Sequence, residues 1–105
     1  MFKMPPLKKS LKITLALKTN SLKIFIDKNK NIEDYSSWPI WSCEVSAFAW
    51  EYSDEEHCFV IEGEVTVIGP ENTVRIVAGD YVVFPKGMKC SWDVHKPIRK
   101  YYTFR

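Results

Sequence analysis

At 105 residues and 12.3 kDa, the chain holds one domain's worth of sequence, long enough to bury a core without disulfides. Its 46% hydrophobic, 14% aromatic and 27% charged content excludes disordered and fibrous classes, and no apolar run reaches the ~20 residues of a membrane span. The formal charge is +2; the first 20 residues carry +5, leaving −3 for residues 21–105, so the body offers no basic face to nucleic acid.

Residues 1–20 form a basic N-terminal extension in which Lys3, Lys8, Lys9, Lys12 and Lys18 stand without an acid. Within it Leu11, Ile13, Leu15 and Leu17 alternate with Lys12, Thr14, Ala16 and Lys18, a period of two that predicts a half-buried strand. After a turn at Thr19 to Ser21, Leu22, Ile24 and Ile26 repeat the pattern. The same acid-free start also fits an organelle-targeting peptide, a plastid one included, and that alternative stays open. Lysines interrupt the apolar positions throughout, which argues against a secretory signal. Cys43, Cys58 and Cys90 are odd in number and lack framework spacing, so reduced thiols in an intracellular, cytoplasmic setting are expected.

Beyond a short helical turn at 32–36, the period-two signal predicts seven strands, at 42–52, 57–62, 64–68, 73–78, 80–84, 89–95 and 98–104. Gly63, Gly69, Gly79 and Gly87 read as the joints between them. Closely spaced strands without a helical pattern imply an all-β, antiparallel sandwich or barrel over residues 21–105.

Two motifs sit on this frame. Glu56 is followed after six residues by Gly63; Gly79 is followed after five by Pro85, after one more by Gly87, and after two more by Cys90. These spacings resemble the two signatures of the cupin superfamily, HxH, three or four residues, E, six residues, G, and then G, five residues, PxG, two residues, H. The stretches SWPIWSCEVSAFAWEY, EEHCFVIEGEV, AGDYVVFPKGMKCSWDV and PIRKYY are similar to the small single-domain cupins of bacteria and plants grouped with ethanolamine-utilisation protein Q and the (S)-ureidoglycine aminohydrolase cupin. The resemblance, over residues 36–104, implies an antiparallel jelly-roll β-barrel, here with extra N-terminal strands.

It also implies a metal site, from which this chain departs. Cys90 stands where the family has a histidine, and with a three-residue spacer Trp50 and Tyr52 stand where it has two more. A four-residue spacer would put Ala49 and Glu51 there, but Phe48, Trp50 and Tyr52 make the apolar alternation of an inward face. Glu56, Cys58 and Val60 share one strand face, as do Cys90, Trp92 and Val94, whereas His57, Phe59 and His95 have the opposite parity. Indole cannot ligate. The expectation is therefore no metal and no cofactor; a divalent ion, if present, would have Tyr52, Glu56 and Cys90.

An inward carboxylate needs a partner or a raised pKa, and Tyr52, Arg99 and Lys100 are the candidates. Glu56 could act as an acid or base and Cys90 as a nucleophile, although buried glutamates also serve structure and unpaired cysteines usually pack as small apolar groups. Trp50 and Trp92 beside an acid make a stacking surface. The sequence thus points to a small polar or carbohydrate-like molecule bound in a metal-free pocket by Trp50, Tyr52, Glu56, Cys58, Cys90, Trp92 and Lys100. A metal-dependent enzyme of the ureidoglycine-aminohydrolase type and a purely structural barrel are the alternatives. Open sheet edges further predict a homodimer, with the N-terminal strand as its device.

Overall fold

The structure is a computed structural model that describes residues 21–105; the predicted strand at 11–17 and the rest of the basic extension lie outside the described residues. Seven strands form one antiparallel sheet: β1 (Phe25–Asp27), β2 (Ile40–Cys43), β3 (Ser46–Glu51), β4 (Glu56–Ile68), β5 (Thr73–Val77), β6 (Tyr81–Phe84) and β7 (Lys89–Phe104). The helical turn is a single 3₁₀ turn, Ile32–Tyr35, capped by the Asn31 side chain, which accepts from the Glu33 N–H. No helix among the described residues is long and apolar enough to cross a membrane.

Two long strands organise the sheet. β4 pairs with β7 over nearly its whole length, with β6 along its first residues and with β5 along its last. β7 carries β3 and then β2 on its other edge. The sequence reading breaks both long strands, at Gly63 and before Ile98, and here it is corrected. Gly63, at φ 105°, lies against the backbone of Pro97 and Ile98 on the facing strand, and the β4–β7 register shifts on either side of it. A glycine without Cβ opposite a proline that needs no ladder partner lets both strands bend instead of ending. Conversely, the single strand read at 42–52 is two, because β2 and β3 pair with segments of β7 on opposite sides of that bend.

The bend folds the sheet around one core. Cys58, Val60, Val65, Val67, Ile76, Val82, Phe84, Met88, Trp92, Val94 and Ile98 are buried together. Parity holds along β4: Glu56, Cys58 and Val60 turn inward. Phe59 has the outward parity the sequence predicts yet is also buried, because Tyr35 of the 3₁₀ turn stacks on it at 5.5 Å.

Candidate functional site

A cavity of about 270 Å³ opens between the β2–β3 edge and the ends of β4 and β7. Its walls are aromatic: Trp41 and Phe48 on one side, Tyr52 and Trp92 deeper in, Trp50, Tyr102 and Phe104 toward the mouth. Trp50 and Phe104 are 49% and 48% exposed and form the rim. At the floor stand Glu56 and Lys100, whose side chains are 3% and 6% exposed.

The floor is an ion pair. Lys100 Nζ donates to Glu56 Oε2 at 2.7 Å and lies 4.6 Å from the ring centre of Trp92, 4.7 Å from Trp41 and 5.8 Å from Phe84. Strand register explains why these groups meet. Glu56 opposes Phe84 on β6 and Phe104 on β7, while Lys100 opposes Trp41 on β2. A carboxylate and two indole faces replace the water shell that burial removes from the ammonium. Of the three partners the sequence offers Glu56, Arg99 is not engaged, because its guanidinium turns outward to Glu62 at 3.2 Å. Tyr52 is: burial, then the charge of Glu56 and a hydrogen bond to that carboxylate, hold the phenol far above its ordinary range. Tyr52 therefore remains a donor.

The cysteines share the interior without reaching the cavity wall, so the thiols expected in the ligand-binding set, Cys58 and Cys90, are placed behind it. Burial pushes the Cys58 thiol up to about 12, opposed by Lys100 and reinforced by Glu56. Cys90 also rises through burial, held back by the indole N–H of Trp92. That N–H leans on the sulfur without a full hydrogen bond and is the one buried side-chain polar atom left unpartnered among the described residues. Neither thiol sits in the electropositive, accessible setting of a nucleophile. Both histidines face away: His57 bridges Tyr81 Oη and Glu55 at 2.6 Å each, and His95 bonds Thr66 at 2.8 Å.

The donors do not suit a divalent ion of the kind the family's motif would hold. Trp50 offers no lone pair, Glu56 is already engaged by an ammonium, and among the described residues no three histidine, cysteine or carboxylate side chains gather around a common point. Trp41, Phe48, Tyr102 and Phe104 are wall residues that the sequence reading did not assign to the site. Tyr102 and Phe104 share the parity of Lys100 on β7 and could have been found by counting in twos; Trp41 is recognisable only once β2 is paired with β7.

A bent antiparallel sheet around an interior cavity, with the glutamate of the motif at its floor, is the arrangement of a cupin. The family model for the EutQ-like cupin domain matches residues 32–102, and the chain belongs to that family. It is similar to a DUF861-family protein of Thermotoga maritima, at 38% identity and a TM-score of 0.74, over 79% of this chain and 100% of that one. The EutQ protein of Clostridium difficile shares the fold, at 21% identity and a TM-score of 0.58, over 77% of this chain and 66% of that one. Among curated proteins, none matches the chain.

Proposed function

We propose that this cupin binds a small polar or carbohydrate-like molecule in its aromatic cavity and does so without a metal. The observation that carries the reading is the floor: a carboxylate and an ammonium, both almost wholly buried, closing a cavity whose remaining walls are aromatic. Pockets of this composition recognise ligands by a few placed polar groups, with the apolar walls supplying area. Lys100 supplies at Glu56 the positive charge that a metal would otherwise bring. A void of about 270 Å³ also favours binding over a barrel filled solidly for structure alone.

Two measurements test it. Elemental analysis of protein purified without chelators is expected to find no stoichiometric Mn, Zn or Fe, and finding one would defeat the metal-free part. Small neutral and aromatic fragments are expected to perturb the fluorescence of the wall tryptophans in the wild type and less in Trp50→Ala; silence throughout would defeat the binding reading.

A further inference from the structure

The cavity floor specifies the charge and hydrogen-bonding character of its occupant, an inference that rests on the binding reading above. Lys100 has three N–H donors. One is spent on Glu56; the ammonium also lies 4.6 and 4.7 Å from the ring centres of Trp92 and Trp41, and its other N–H groups have no oxygen partner among the described residues. An ionised carboxylate has about four acceptor positions, and here Lys100 fills one, at 2.7 Å. The floor therefore keeps both acceptor and donor positions to offer, while the pair as a whole is neutral.

Those two facts select. A ligand cation would meet Glu56 already neutralised, and a ligand anion would meet Lys100 already neutralised. Either would surrender its hydration for no unpaired counter-charge, which is unfavourable in a buried site. A neutral molecule that brings hydroxyl groups avoids desolvating a charge without a counter-charge, and its hydroxyls regain hydrogen bonds by donating to the carboxylate and accepting from the ammonium. The exposed face of Trp50 at the rim, with Phe48 and Phe104 near it, suits the C–H face of a saturated ring. We infer that the occupant is a neutral, hydroxyl-bearing ring of pyranose size, and that Lys100 is the residue that sets this preference by acting as a built-in counter-ion to Glu56.

The test is a charge series followed by tryptophan fluorescence and by amide shifts in NMR. The wild type is titrated with neutral pyranoses (glucose, galactose, mannose, rhamnose), with glucuronate, with glucosamine, and with indole as an uncharged aromatic control. At least one neutral pyranose is expected to bind about tenfold or more tighter than glucuronate and glucosamine. Lys100→Met should shift the preference about tenfold toward glucosamine, and Glu56→Gln should shift it toward glucuronate. Circular dichroism establishes that each variant is folded; should neither fold, the wild-type series decides alone. Tighter binding of either charged sugar by the wild type, or a folded Lys100→Met with unchanged order, overturns the inference. Binding of indole but of no sugar also overturns it, yet leaves the cavity as a binding site. No binding of any probe defeats both.

Discussion

A carboxylate and an ammonium removed from water together are held in place by each other, and removing one strands its partner. Lys100→Met is expected to destabilise the fold by about 3–5 kcal/mol, because Glu56 is then buried without a counter-charge. The double variant Glu56→Leu, Lys100→Met should lose less than the sum of the two single changes. Urea denaturation of all three variants reads both values. The thiols add a pH dependence. Cys58 is held up to about 12 from an ordinary 9, so the folded state keeps a proton that the unfolded chain releases. Its contribution is fully present below about pH 9 and is lost as pH climbs toward 12, since the unfolded state binds fewer protons there. Melting temperature should therefore fall across that window, and fall less steeply in Cys58→Val; equal slopes would refute the assignment.

At the scale of elements, the β4–β7 pair depends on one missing side chain. A methyl group on Gly63 would collide with the Pro97 carbonyl and lie 2.7 Å from Ile98 Cα, on a backbone at φ 105° that side chains avoid. Gly63→Ala should cost about 3 kcal/mol or more, the combination of overpacking and backbone strain. Gly79 also has positive φ, at 95°, but nothing lies within 4 Å of where its Cβ would be, so Gly79→Ala should cost only about 1–2 kcal/mol. Comparable losses in chemical denaturation would show that strain alone matters. Alternation along 56–60 and 90–94 is legible in the sequence because a strand with one buried face writes its geometry in steps of two. Continuity through Gly63 is not, because a glycine reads alike as a turn and as a bulge until the facing strand is known.

Among the described residues no strand stands alone, since β4 and β7 pair directly with every other strand but β1, which joins through β6. Fluorescence and far-ultraviolet circular dichroism should therefore report one coincident unfolding transition; separated midpoints would mean two independent units. Among the described residues β1, β2, β3 and β5 each have one strand partner, which leaves their outer edges open. Edge pairing with a second copy remains the expected way to cover them. Light scattering of the full chain is expected to give twice 12.3 kDa, and of a chain lacking residues 1–20 a smaller mass if the N-terminal segment is the device.

Read alone, the sequence determined the family, the all-β character, the inward turn of Glu56 and the departure from a histidine site, because local alternation and fixed motif intervals encode all of these. It narrowed the partner of Glu56 to three residues. Only the tertiary structure decided among them, brought Trp41 and Phe104 to the same cavity, and set the cysteines behind its wall. The reason is physical: pairing between strands distant in the chain is fixed by register and by a bend at Gly63 and Pro97, and neither is written in the spacing of any one strand.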